Sequence, residues 1–219
     1  MKDNAWIRLH AAMMLLALTA LAWQGFWLPM LVVSLISFSW LIIAHAPTLH
    51  RLHPFGGYAN WVTLARWGLL LFAGYNYQQW PDYILFILFL TVIVSDGIDG
   101  YLARRYGQST KVGALLDIET DALMSAILAG IHYQENVVGG WILLAGGLRY
   151  GYVWALYLLR WENNKGTNNP HARWIGAVFI SVLMSPFIFP VWLSVPALIT
   201  SSLLATFSFG YSLWGKRIA

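Results

Sequence analysis

The chain has 219 residues, of which 59% are hydrophobic and only 10% are charged, and its mean hydropathy is +0.60. Because a soluble domain carries about 25% charged residues, this composition excludes a water-soluble globule and makes a lipid bilayer the main solvent. The absence of cysteine excludes disulfides, thiolate metal sites and cysteine nucleophiles. The formal net charge of +4 fits basic residues retained on the cytoplasmic side of a membrane, and we expect no nucleic-acid partner.

Eight apolar stretches are long enough to be membrane-spanning helices, and they predict an all-α, polytopic transmembrane bundle. In chain order they cover residues 7–24, 26–46, 60–79, 82–99, 113–132, 137–160, 172–189 and 191–214. The first stretch also resembles a signal peptide. Since no small-residue cleavage site stands out near residues 20–24, we expect an uncleaved helix.

Lysine and arginine occur at the two chain ends and in alternate connections between these stretches. They are Lys2, Arg8, Arg51, Arg104, Arg105, Lys111, Arg160, Lys165, Arg173, Lys216 and Arg217. The intervening connections contain neither residue type. The positive-inside rule therefore predicts that both termini and all basic loops face the cytoplasm.

Five of the nine acidic residues lie in one short, otherwise apolar part of the chain. Asp96 and Asp99 are spaced i,i+3, and Asp117 and Asp121 are spaced i,i+4, so each pair shares one face of its helix. Near hydrocarbon each charge costs roughly 2.5 kcal/mol or more, so four such carboxylates require neutralising cations. Their oxygen ligands favour Mg²⁺, Mn²⁺ or Ca²⁺ over Zn²⁺, and the pattern predicts a site for one or two such ions.

The neighbouring residues suit phosphate chemistry. Divalent ions neutralise phosphate oxygens and orient the attacking group. Arg104 and Arg105 add fixed positive charge, and Gly100 and Gly113 allow a bulky group to approach the backbone. Glu119 lies on the opposite helix face, so we expect it to be a polar neighbour and not a ligand.

Together these residues form a recognisable motif, which reads Asp96-x-x-Asp99-Gly100-x-x-Ala103-Arg104, eight residues, then Gly113-x-x-x-Asp117-x-x-x-Asp121. It resembles the complete signature of the CDP-alcohol phosphotransferase family. Upstream, Asn60-x-x-Thr63-x-x-Arg66 resembles the start of that family's first core helix. The resemblance implies a six-helix core within residues 51–219, preceded by two additional helices within residues 1–50.

The resemblance also implies an activity. Members of this family cleave the pyrophosphate of a CDP-alcohol, commonly CDP-diacylglycerol, transfer the phosphatidyl or phosphoalkyl group to an acceptor alcohol, and release CMP. It further implies a homodimer in the bacterial inner membrane, in contact with membrane lipid, with its active site facing the cytoplasm. The function expected is therefore phospholipid biosynthesis.

By the same resemblance, particular residues have particular roles. Two Mg²⁺ or Mn²⁺ ions are expected on Asp96, Asp99, Asp117 and Asp121. Asp121 is the expected catalytic base for the acceptor hydroxyl. The CDP pocket is expected to be lined by Thr63, Asp99, Gly100, Ala103, Arg104, Gly113 and Asp117.

Three basic residues outside the motif are candidates for binding an anionic acceptor. Arg149 lies inside an apolar stretch, where a charge is costly unless it is paired or near water. Lys165 and Arg173 flank the start of the seventh predicted helix, where loop anchoring is an equal alternative. The motif does not separate glycerol phosphate, inositol phosphate, serine or amino alcohols as acceptors.

Two other functions compete with the transferase interpretation. Intramembrane carboxylates also mark the ion paths of divalent-cation transporters. Transporter sites usually lie near the bilayer midplane, whereas this aspartate cluster adjoins a basic cytoplasmic loop. A scaffold that keeps the motif without turnover is the other alternative, and the intact aspartate set argues against it.

Overall fold

The computed structural model describes residues 2–25, 27–161 and 170–218, and these residues form helices joined by short connections, with no strand among them. The helices are α1 (Lys2–Gln24), α2 (Leu28–Ala44), α3 (Ala46–Leu49), α4 (Tyr58–Asn76), α5 (Asp82–Arg105), α6 (Lys111–Gln134), α7 (Trp141–Gly146), α8 (Leu148–Leu158), α9 (Pro170–Leu183) and α10 (Val191–Ile218). The predicted all-α class is confirmed.

Three helices in the described part of the chain are long and apolar enough to cross a bilayer: Asn4–Gln24, Asp82–Arg105 and Val191–Gly215. Two shorter apolar helices, Leu28–Ala44 and Trp174–Phe187, accompany them. Helices α4, with 19 residues, and α6, with 24 residues, also have spanning length but are not among these apolar helices. The prediction of eight spans therefore stays a prediction.

The predicted helix over residues 137–160 is broken into α7 and α8 at Gly147. The glycine before the break packs closely against α6. A Cβ on Gly146 would lie 2.5 Å from the Ala129 Cβ and 2.9 Å from the Ser125 carbonyl oxygen. The prediction of one continuous helix over residues 137–160 was therefore wrong.

This contact predicts a stability effect. Gly146→Ala forces α7 away from α6, and overpacking of this kind costs about 1–3 kcal/mol. We expect a lower Tm for the purified protein in detergent, measured by thermal unfolding. The matched control is Gly151→Ala on α8, where a Cβ would meet no atom within 4 Å. Since alanine favours helix, Gly151→Ala is expected to keep or raise the Tm. Equal Tm values for the two variants would contradict the close contact.

The chain forms two compact units. The central unit is Trp27–Met124, and the terminal unit combines Met1–Phe26 with Ser125–Ala219. In the central unit α4 packs along α5, and α2 packs on α4. In the terminal unit α1 packs on α8, and α10 packs on α9. The first two helices thus fall in different units, and the predicted domain boundary at residue 50 stays a prediction.

Candidate active site

The first wall of the site is one face of α4. Asn60, Thr63 and Arg66 recur at intervals of three residues, so they share a face, and all three are buried. The Asn60 side-chain amide donates to the Gly56 carbonyl over 2.7 Å. The Thr63 hydroxyl donates to the Asp99 carboxylate over 2.9 Å. This helix therefore presents polar groups toward the aspartates of α5.

The second wall is the end of α5, where the helix terminates in a tight turn. Gly107 has φ +62°, a conformation that favours glycine, and the Gln108 amide donates back to the Ala103 carbonyl over 2.9 Å. This turn places Gln108 at the start of α4. Its side chain accepts a hydrogen bond from the Tyr58 amide at 2.9 Å and donates one to the His53 carbonyl at 2.7 Å. The connection after α5 is therefore fastened to α4.

The third wall is the first turn of α6. The Thr110 hydroxyl, just before the helix, accepts a hydrogen bond from the Gly113 amide at 3.0 Å, as an N-cap residue does. Gly113 leaves no room for a side chain, because a Cβ there would clash with the Asn60 carboxamide oxygen. Glycine at this position therefore lets α6 approach α4 and leaves space beside the backbone.

Four carboxylates converge on Arg66 between these walls. The Arg66 side chain is only 2% exposed. Its Nη1 lies 2.9 Å from Asp96, 2.8 Å from Asp99 and 2.8 Å from Asp117, and its Nη2 lies 2.7 Å from Asp121. Arg66 contacts one oxygen of each carboxylate. The two aspartate pairs predicted to share helix faces thus meet around one guanidinium.

Three of the four carboxylates are arranged to hold a cation. One oxygen each from Asp96, Asp99 and Asp117 lies within 4.8 Å of the other two. Asp121 is outside this group of three and joins the cluster through Arg66. A set of carboxylate oxygens suits a hard divalent ion such as Mg²⁺ or Mn²⁺. The residues present therefore fit a divalent metal.

A cavity of about 200 Å³ opens beside this cluster within the central unit. Its walls include all seven residues predicted for the CDP pocket: Thr63, Asp99, Gly100, Ala103, Arg104, Gly113 and Asp117. Asn60, Gln108 and Thr110 also line it. The spacing of the motif thus brings residues from three helices to one cavity.

The other predicted residues are placed differently. Arg149 lies in the terminal unit, where it lines a cavity of about 150 Å³ together with Arg8 and Asn4. Lys165 lies outside the described residues, and so does the side chain of Arg173. Glu119 is buried, with 1% of its surface exposed, and is not one of the converging carboxylates.

Sequence reasoning used Arg66 only as part of a motif and did not assign it to the site. Its interval of three residues from Thr63, on a helix that is otherwise apolar, was the available signal. An arginine inside an apolar helix needs a partner, and the four aspartates are the nearest supply of negative charge.

Comparison with known families agrees with this geometry. The family model described as CDP-alcohol phosphatidyltransferase matches residues 57–212. The chain belongs to this family. As a CDP-alcohol phosphatidyltransferase, it is an integral membrane enzyme that transfers a substituted phosphate group from a CDP-alcohol to an acceptor alcohol. The expected activity is thereby confirmed, and the transporter alternative receives no support.

Similar relatives carry one shared name, CDP-diacylglycerol–glycerol-3-phosphate 3-phosphatidyltransferase. The relative from Sodalis glossinidius is 28% identical over 72% of this chain and 93% of its own length. The one from Yersinia enterocolitica is 32% identical over 61% of this chain and 75% of its own length. The one from Escherichia coli is 30% identical over 52% of this chain and 63% of its own length. No solved structure matches significantly.

Proposed function

We propose that this CDP-alcohol phosphatidyltransferase uses CDP-diacylglycerol as donor and glycerol 3-phosphate as acceptor. The names of the similar relatives support both substrates. The observation that carries the site assignment is the cavity beside the aspartate cluster, whose walls include all seven residues predicted to bind CDP.

The reaction exchanges one phosphorus–oxygen bond for another. The acceptor hydroxyl oxygen bonds to the phosphorus that carries diacylglycerol. The bond from this phosphorus to the bridging oxygen of the pyrophosphate breaks, and CMP leaves with that oxygen. The hydroxyl proton passes to a base, for which we propose the Asp121 carboxylate.

We assign the donor's nucleotide and phosphates to the cavity. Arg104 lines it and supplies a charged donor for phosphate oxygens. A Cβ on Gly100 would lie 3.4 Å from the Arg104 Nη1, so glycine there leaves the guanidinium room to face the ligand. Thr63 and Asn60 orient the α4 side of the cavity through their hydrogen bonds.

We assign the divalent ions to Asp96, Asp99, Asp117 and Asp121, and propose two ions of Mg²⁺ or Mn²⁺. When bound, such ions neutralise phosphate oxygens and stabilise the leaving group. The close approach of three of these carboxylates supports the assignment. Asp121 lies apart from the three, which suits a group that also reaches the acceptor hydroxyl.

We propose that the site opens to the cytoplasm of a bacterial inner membrane. Arg104 and Arg105 in the last turn of α5, and Lys111 at the start of α6, place positive charge at this end of the helices. The homodimer and the acceptor roles of Arg149, Lys165 and Arg173 stay predictions.

The test is CMP release by the purified protein with CDP-diacylglycerol, Mg²⁺ or Mn²⁺ and a panel of acceptors. The panel holds glycerol 3-phosphate, inositol phosphate, serine and ethanolamine, and the lipid product is identified by mass spectrometry. We expect the fastest release and a phosphatidylglycerol phosphate product with glycerol 3-phosphate. Faster release with another acceptor would reject the proposed acceptor. Release that does not depend on any acceptor would reject the transfer itself.

A further inference from the structure

Arg66 stands out because it is the common partner of all four motif carboxylates. Its guanidinium is the only group in the described chain shown to contact Asp96, Asp99, Asp117 and Asp121 together. Two of the contacts at Nη1, to Asp99 and Asp117, are hydrogen bonds, and the contact to Asp96 is an ion pair. The hydrogen bond to Asp121 uses the other terminal nitrogen. Planar, forked geometry is what allows one side chain to serve several carboxylates.

The position of Arg66 is as informative as its contacts. The side chain is 2% exposed, whereas the side chains of Asp96, Asp117 and Asp121 are 46%, 38% and 41% exposed. The carboxylates therefore lie between Arg66 and the open side of the site. Arg66 contacts one oxygen of each carboxylate from the buried side of the cluster.

Charge explains why such a group is needed. Four ionised carboxylates and one guanidinium leave a net charge of minus three. Without the guanidinium the cluster would carry minus four, and like charges held this close together repel one another. Any state of the protein without bound ions, such as the newly folded chain, has to keep these carboxylates together.

We propose that Arg66 is an internal counter-ion that assembles and holds the carboxylate cluster before divalent ions bind. Arg66 is on this proposal a positioning residue, because it acts through the aspartates and not on the substrate. The inference rests on the proposed divalent site. Its consequence is that Arg66 matters most for stability when metal is absent. When metal is present, the bound ions supply the positive charge.

The test compares thermal unfolding of wild type and Arg66→Met, each in chelator and in saturating Mn²⁺. Methionine replaces the unbranched stem of the arginine side chain but removes the guanidinium, and with it the charge and the hydrogen bonds. We expect Arg66→Met to lower the Tm in chelator far more than in Mn²⁺, so that the metal-induced rise in Tm is larger than in wild type. By linkage the variant then binds Mn²⁺ more tightly, on the order of tenfold or more, which a direct Mn²⁺ titration measures.

Two further variants separate charge from packing. Arg66→Lys keeps the charge but loses the fork, so its Tm in chelator is expected to lie between those of wild type and Arg66→Met. Arg105→Met removes a positive charge from the exposed end of the same region without touching the cluster, since Arg105 donates to the Tyr101 hydroxyl. We expect its small Tm change to be the same in chelator and in Mn²⁺.

The outcomes are distinguishable. A wild-type Tm that does not respond to Mn²⁺ would reject the divalent site and the inference with it. A wild-type Tm that rises with Mn²⁺, together with equal losses for Arg66→Met in both conditions, would reject the counter-ion role and keep the metal site. If Arg66→Met does not fold, Arg66→Gln, which removes the charge but keeps a polar amide, is compared in chelator and in Mn²⁺ and decides in the same way.

Discussion

Asp121→Asn is expected to reduce CMP release by about 10²–10⁴-fold while binding of the CDP-linked donor largely survives. Asparagine keeps the shape and polarity of the side chain but is a far weaker base. Asp121 is not among the described residues that line the nucleotide cavity, so the donor contacts remain. Arg66 holds the Asp121 carboxylate at 2.7 Å, and an asparagine oxygen can accept the same hydrogen bond. The measurements are the initial rate of CMP release and donor affinity by titration.

Two comparison variants sharpen this result. Arg104→Ala removes a cation from the cavity wall, so it is expected to weaken donor binding more than it slows the bound complex. Asp82→Asn makes the same chemical change as Asp121→Asn, but at the exposed first turn of α5, about 21 Å along the helix from Asp96. It is expected to leave the rate unchanged. Normal turnover by Asp121→Asn, with donor affinity intact, would show that Asp121 is not the catalytic base.

Chelation of divalent ions is expected to abolish CMP release, and Asp99→Asn is expected to lower it at least about a hundredfold at ordinary metal concentrations. Asp99 is the informative position because it both lines the cavity and belongs to the three converging carboxylates. Its side chain is 7% exposed and accepts from Thr63 and Arg66. Replacing it with asparagine removes the charge that a divalent ion needs while keeping an oxygen acceptor for both donors.

The measurement is CMP release as a function of added Mg²⁺ or Mn²⁺, starting from chelated protein. Wild type is expected to recover fully when the ion is returned. Asp99→Asn is expected to require a higher ion concentration and to reach a lower maximum. Asp82→Asn again serves as the matched control and is expected to follow the wild-type curve. Undiminished release in chelator would be incompatible with a metal-dependent reaction.

Helical spacing predicted how the four aspartates are paired, because two of them lie on each of two helices. The i,i+3 and i,i+4 intervals of the aspartates place each pair on one face, and the structure brings both pairs to one guanidinium. The seven residues expected around CDP were named from the family resemblance, and they line one cavity. A fixed spacing on a regular helix sets which residues share a face of that helix.

The features that were missed depend on contacts between helices. Arg66 is recognisable as a buried charge in α4, but its partners on α5 and α6 follow from packing that no periodicity contains. The break at Gly147 and the close approach of Gly146 to Ala129 are features that hydropathy does not register. Helix existence was therefore predictable from apolar stretches, whereas continuity and cross-helix pairing were not.

The connection from α5 to α6 has a consequence for how this chain can change in length. Both of its ends are fixed: Gln108 is bonded to the start of α4, and Thr110 caps α6 through the Gly113 amide. A residue inserted between them would lengthen a connection whose two ends are held, so the extra residue would have to bulge outward or one of these attachments would have to break. A shift of α6 in response would change the distance between Asp117 and Asp99. The eight residues between Arg104 and Gly113 therefore help to set where the first turn of α6 lies relative to the end of α5.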